Sequence, residues 1–396
     1  MKRFICVLVL FLMSVPAWSA GRKITVGELT NLMRSMQQQK KNDADVAAAL
    51  KQLELTEALT RPTMNSLVAY VPGPLSTEQV YVLEAGSAML APPPSDIPNT
   101  PAPDVAAQKA LIDKAADYIS KFYAQLPALT ATKTVIRFQD NVEAAAGGSG
   151  LSGSAKDVST GSAFVPANHF IHYINSTEIP VETQNGIEKI SAAKDKIQWG
   201  ANGQIVLKGQ SPMLTTVLDE AQGTGKLNWL RWELVNGKQA AVFSFAVDKK
   251  RTRYAVNYCC FPESEAAGKA TFTSAALTGS GGASGNFQTN TDWHNFKTTV
   301  PYHGEIFINP ETGIVVRLIT MAEFKNTDLV HQEDQRIDYA PVPVGDKTLV
   351  VPVKSVINTE VVPNGDSGSA GRYTTRHTLF TSEYKDYQLA GATAQK

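Results

Sequence analysis

Cysteine is scarce in this chain: three in 396 residues, one of them, Cys6, inside an apolar amino-terminal run. The other two, Cys259 and Cys260, are adjacent. Neighbouring Cα atoms lie about 3.8 Å apart, below the usual disulfide range of about 4.4 to 6.8 Å, and on a strand their side chains point to opposite faces. The chain therefore has no disulfide framework, and the pair reads as buried thiols or a strained vicinal bond without catalytic consequence. Charge of one sign is missing too, with 37 basic against 37 acidic residues. That balance provides no basic field for nucleic acid or anionic lipid. Beyond residue 15 no apolar run approaches the roughly 20 residues of a membrane-spanning helix. The glycines around Gly147 and Gly281 lack the following helix and lysine of a phosphate cradle, which removes nucleotide binding from the candidates.

What is present begins with Lys2 and Arg3, an apolar run from Phe4 to Val15, and Pro16-Ala17-Trp18-Ser19-Ala20. This is the layout of a secretory signal peptide. Ala17 and Ser19 occupy the small-residue positions, so cleavage is expected after Ser19 and a periplasmic or extracellular location follows. Cys6 lies inside the run and cannot carry a lipid anchor. Loss of Lys2 and Arg3 leaves 35 basic against 37 acidic residues.

Residues 20–127 have helical periodicity. Leu29, Leu32, Met33 and Met36 mark a first helix, and Asp43 is expected to cap a second through Val46, Leu50 and Leu53. Ser76 and Gln79 have capping-box spacing ahead of Val80 and Leu83. A last helix from about Asp104 to Gln125 carries Ala107, Leu111, Ala115, Ile119 and Phe122 on one stripe. Between the last two lies a stiff strap, 91–104, in which six of fourteen residues are proline.

After Pro127 the period changes to two, and residues 128–390 are expected to form one antiparallel β domain with a frayed tail at 391–396. Asn185-Gly186 and Asn236-Gly237 are hairpin signals. Strands are expected at Leu227 to Val235, Gln239 to Val247 and Arg251 to Tyr258 as a meander, then at Glu305 to Ile308, Ile314 to Thr320, Asp338 to Val344, Leu349 to Ile357 and Thr378 to Tyr387. A helix interrupts them after Ser211-Pro212 and ends near Gly223. The expected class is α+β: short helices on or beside a large, curved, half-barrel-like antiparallel sheet.

Chemistry-bearing motifs are few. Gly365-Asp366-Ser367-Gly368-Ser369 resembles the nucleophile loop of chymotrypsin-like proteases, with His169 as a superficial partner. It lacks the rest of a triad and reads as a Gly/Ser turn. His169 and His172 fall on opposite strand faces, while Asp292 with His294 and His331 with Glu333 share a face but lack a third ligand. These read as surface polar residues, and no metal or other cofactor is expected. On Trp229-Leu230-Arg231-Trp232-Glu233, alternation sends Trp229, Arg231 and Glu233 to one face and Leu230, Trp232 and Leu234 to the other. Trp229, Arg231, Phe243, Phe245, Tyr254 and Tyr258 are the candidate ligand-binding residues, with Arg231 gripping an anionic head group above an apolar groove. The structural alternative makes Arg231 and Glu233 neighbours on the outer face while Trp232 fills the core.

Trp232-Glu233, Ala241 to Phe245, Tyr254 to Tyr258 with Cys259, and Gly304-Glu305-Ile306 leading into Asn309-Pro310-Glu311-Thr312-Gly313 and on to Leu318 resemble a group of secreted bacterial proteins of unassigned function. The helical start and the proline strap are similar to that group as well. More distantly, the long hairpins resemble the open half-barrels of periplasmic lipoprotein carriers and sigma-factor regulators, whose concave faces hold acyl chains. The expected function is non-catalytic: an envelope protein that binds a lipid, an apolar ligand or an envelope partner. The alternative is a secreted hydrolase using Ser367.

Overall fold

A computed structural model of the chain describes residues 21–139, 171–184, 187–189, 206–207, 214–224, 227–262, 293–328, 330–361 and 376–391. The leader at 1–19, His169, Asp292, the Gly/Ser stretches at 147–162 and 277–286, and the Gly365–Ser369 loop lie outside the described residues.

Five helices precede the sheet: α1 (Val26–Gln38), α2 (Asp43–Leu50), α3 (Arg61–Val68), α4 (Pro74–Gly86) and α5 (Val105–Lys121). The capping box is at α1, where the Glu28 amide donates to the Thr25 hydroxyl at 3.2 Å and the Thr25 amide donates to Glu28 Oε2 at 2.8 Å. Asn42, not Asp43, caps α2, accepting from the Asp45 amide at 2.9 Å. Asp43 caps another helix instead. Gly73 has no side chain and Pro74 no N–H, so α4 opens without a cap of its own. Its free Leu75 and Ser76 amides donate to Asp43 at 3.0 and 2.9 Å. Ser76 is thus a buried third residue of α4, and the expected Ser76/Gln79 box does not form. The unexpected α3 starts with proline in its first turn. A parallel pair, β1 (Arg22–Ile24) with β2 (Leu53–Leu55), ties this region together around Leu29, Met33, Leu50, Met64, Leu67 and Val80.

The strands that follow are β3 (Leu129–Gln139), β4 (His172–Gln184), β5 (Ile187–Lys189), β6 (Val206–Leu207), β7 (Asn228–Val235), β8 (Lys238–Val247), β9 (Ala255–Pro262), β10 (Trp293–Thr299), β11 (Tyr302–Ile308), β12 (Val315–Ala322), β13 (Val330–Val344), β14 (Lys347–Val361) and β15 (Arg376–Leu389), with α6 (Leu214–Thr224) between β6 and β7. Ten strands form one open antiparallel sheet in the order β5-β4-β3-β15-β14-β13-β12-β11-β8-β7. The α+β class is as expected, and the sheet does not close into a barrel. The strands flanking both Asn-Gly pairs are joined, with Gln184 opposite Ile187 and Val235 opposite Lys238, Asn185 and Gly186 themselves lying outside the described residues. Asn236 and Gly237 take φ of 50° and 77°, the positive values that such a two-residue turn demands.

The expected meander breaks after β8. Its partner is β11, while β9 joins β10 and β6 in a separate three-stranded sheet. Tyr254 meets Tyr302 edge to face at 5.4 Å, and Val256 joins the same buried cluster. The Tyr254–Val256 stretch therefore adds to the core by packing on the large sheet rather than extending it.

Both faces of the large sheet are covered. On the first, Phe243, Phe245, Ile306, Leu318 and Tyr339 pack with Ala115 and Ile119 of α5 and with Val217 and Leu218 of α6. On the second, Phe138, Val356 and Leu379 pack against Ala85 and Ala88 at the end of α4, and Val242, Phe307 and Ile319 against Met89. The proline strap passes edge strand β7, where Trp232 Nε1 donates to the Pro101 carbonyl at 2.9 Å. It delivers α5, whose Lys114 donates to the Pro310 and Glu311 carbonyls at 3.1 and 2.9 Å. Those carbonyls belong to the turn Asn309–Gly313, closed by Gly313 at φ +75°.

Candidate functional site

The six residues expected to bind a ligand do not share one surface. Phe243 and Tyr254 are fully buried and Phe245 almost so, beneath α5 and α6. The Tyr258 backbone pairs with Phe296 and Leu207, but its side chain lies outside what is described. Trp229 belongs with this apolar group: its ring lies 4.9 Å from Trp232 and 5.4 Å from Phe243. Strict alternation had put Trp229 beside Arg231 and opposite Trp232. A β-bulge between Trp229 and Arg231 breaks the alternation and rotates Trp229 to the helix-covered side. Leu230, at the bulge, is left 43% exposed.

Arg231 lies on the second face among ion pairs that are mostly buried and run out to exposed Glu383. Its guanidinium reaches Glu233 at 2.6 Å and Glu305 at 2.8 Å. Arg317 bridges Glu233 at 3.3 Å and Asp338 at 2.7 Å, and Arg336 holds Asp338 at 2.8 Å. Lys354 meets Glu84 of α4 at 2.6 Å, and Arg61 of α3 joins Glu84 to Glu383. Five cations, Arg61, Arg231, Arg317, Arg336 and Lys354, balance five anions, Glu84, Glu233, Glu305, Asp338 and Glu383. Burial alone would raise the Asp338 carboxyl, but Arg317 and Arg336 together hold it well below the usual carboxylate range. Burial keeps the Glu233 carboxyl above its ordinary value despite two arginine partners. Arg231 is thus neutralised within the molecule by Glu233 and Glu305.

A second polar cluster was not visible in the sequence. Glu333, Thr359, Thr378 and Gln139 face one another across β13, β14, β15 and β3, all buried. Gln335 and Thr320, also buried, pair alongside. Glu333 was expected at the surface with His331, but only His331 is exposed. The Tyr254 hydroxyl donates to Glu333 Oε1 at 3.2 Å, while among the described residues Glu333 Oε2 and the Thr378 hydroxyl have no hydrogen-bond partner. Burial pushes the Glu333 carboxyl up to about 7, against the effect of the Tyr254 bond. Strand β13 begins eight residues before its expected start at Asp338, because Gln332-Glu333-Asp334-Gln335-Arg336 offers no apolar alternation. Its only signal was compositional: polar residues on both faces of a segment that leads straight into a core strand.

Among the described residues no group of three or more His, Cys, Asp or Glu side chains is placed to hold a metal ion, and no helix is long and apolar enough to cross a membrane. The arrangement can bind by apolar surface or by charge pairing at its covers, and it can store a buried proton. No family model, curated protein or solved structure matches the chain.

Proposed function

We propose that this chain is an exported, non-catalytic binding protein whose partner is another protein of the cell envelope. One observation carries the reading. The apolar face that would hold an acyl chain is occupied by the chain's own α5 and α6, while α5 turns Val105 and Phe122 outward at 81% and 60% exposure. A carrier with an open groove would leave Phe243, Phe245 and Tyr254 accessible, whereas large outward apolar side chains on a strapped helix favour a protein partner. Arg231, paired with Glu233 and Glu305, has no charge left for an anionic head group. The signal-like start supports export.

Two measurements on the full chain test this. Native mass spectrometry of protein purified from its own envelope is expected to give the mature mass without lipid. A photo-crosslinking residue at Phe122 is expected to capture one envelope protein, and Val105→Asp to abolish the capture. A stoichiometric lipid in the native spectrum, with no crosslink at Phe122, would replace this reading by the apolar-ligand one, with α5 and α6 as a lid.

A further inference from the structure

The buried carboxyls beside Tyr302 and Tyr254 are built differently. Glu220 accepts the Tyr302 hydroxyl at 2.7 Å and is matched by Arg253, whose Nε lies 2.8 Å away. Glu333 has the tyrosine and, among the described residues, no cation. Tyr254 donates to one oxygen, and the other, buried, has no partner among the described residues. The two tyrosine rings touch edge to face at 5.4 Å, so the paired and unpaired carboxyls stand at opposite ends of one aromatic contact.

The groups facing Glu333 come from each element packed against it. The stretch leading into β9 supplies Tyr254 and β14 supplies Thr359, while Thr320 of β12 stands opposite Gln335, two positions along the same face. On its own strand Asp334, pointing to the opposite face, adds a like charge. His303 of β11 acts on Asp334 and hydrogen-bonds to Glu323 at 3.0 Å. No cation pairs with Glu333 among the described residues.

We propose that Glu333 is a proton-operated latch: neutral, it lies dry beneath Tyr254 and keeps the entry to β9 against the large sheet; ionised, it draws in water and frees that segment. An anion in a dry interior has lost its hydration, and a single hydroxyl donor does not replace it. Opening the Tyr254 contact restores water to the carboxylate. The folded-state value near 7 lies above that of an exposed carboxyl, so the closed form binds the proton more tightly than the open one. Closure is firmest in mild acid and weakens as pH rises through neutrality.

The Val300 amide reports the latch directly, because it donates to the Tyr254 carbonyl at 3.1 Å. Its hydrogen-exchange protection factor, with the intrinsic pH dependence of exchange divided out, is measured in the full chain between about pH 5.5 and about pH 8.5. Amides of the Ala131–Val181 ladder serve as the reference. Val300 protection is expected to fall about tenfold or more across this range while the reference stays level. Glu333→Gln, neutral at every pH, is expected to remove the fall. Tyr254→Phe deletes the one bond that favours the anion, so the midpoint of the fall is expected to move to higher pH. A level Val300 profile in the natural chain overturns the latch, as does an unchanged fall in Glu333→Gln. Should Glu333→Gln fail to fold, an unmoved midpoint in Tyr254→Phe overturns it equally.

Discussion

Glu333 and Asp338 lie five positions apart on β13, on opposite faces of the sheet, and they bind protons with opposite effect. The Asp338 value is depressed, so its contribution is present above the ordinary carboxylate range and lost as pH falls. The Glu333 value is raised to about 7, so stability is highest below the unfolded value and declines as pH climbs through neutrality, by on the order of 3 kcal/mol in all. Urea denaturation from mild acid to mild base is expected to show a stability maximum near pH 5, and Glu333→Gln to flatten its alkaline side. Asp338→Asn leaves Arg317 and Arg336 buried with one acceptor fewer, at an expected cost of about 3 to 5 kcal/mol. In the sequence the Gly365–Ser369 motif lacks the rest of a triad, so a fluorophosphonate probe is expected to leave Ser367 unlabelled. Residue-level legibility followed distance along the chain. The start of α5 near Asp104 was readable because its signal is local: the Ala107 amide donates to Asp104 Oδ1 only three residues away. The burial of Glu333 depends on a tyrosine 79 positions away, and the Trp229 rotation on one extra residue in a strand.

At the scale of elements, turns with demanding backbone angles were the most legible parts. Gly237 at φ 77° has no atom within 4 Å of where a Cβ would stand, so Gly237→Val is strained by conformation and not by collision. Its expected cost is about 1 to 3 kcal/mol, read as a lowered melting temperature against a control substitution within 277–286. The α5 stripe was half right. Ala115 and Ile119 are buried, whereas Ala107 and Phe122 are exposed, because α5 leans on the sheet through its middle. Periodicity names a helix's apolar side but not how much of it finds a neighbour. Trp232→Phe keeps the ring packing and removes the bond to Pro101. It is expected to raise proteolytic cleavage within 91–104 with little change in melting temperature.

At the scale of the whole molecule, the covering of the sheet is divided between helices in a way no local pattern could show. Residues 21–103 carry α4, which covers Phe138, Val356 and Leu379 on the second face. The cover over Phe243 and Phe245 is α5 with α6, outside that range. Deleting 21–103 is therefore expected to expose apolar surface on the second face, strand Lys354 without Glu84, and give aggregation with strong binding of a hydrophobic dye. A double substitution on α5, Ala115→Glu with Ile119→Glu, is expected to give the same dye signal from the first face. Antiparallel class was readable from the switch to a period of two. The separation of β9 from the meander was not, because sheet membership is decided by pairing between distant segments.

The place of β15 in the strand order carries a consequence for how this protein is made. The last of the described strands pairs with the first strand of the large sheet, Thr378 with Gln139 through to Leu389 with Leu129, and lies between two blocks of strands. During synthesis one block, β3 to β5, and the other, β7, β8 and β11 to β14, each wait with an unpaired inner edge until residues 376–389 arrive. Contacts that span some 250 residues of chain are slow to close. Until then the two edges are exposed to any other strand. The finished sheet thus depends on the one strand made after all its other members, and a chain cut short before β15 leaves both halves as separate, adhesive fragments.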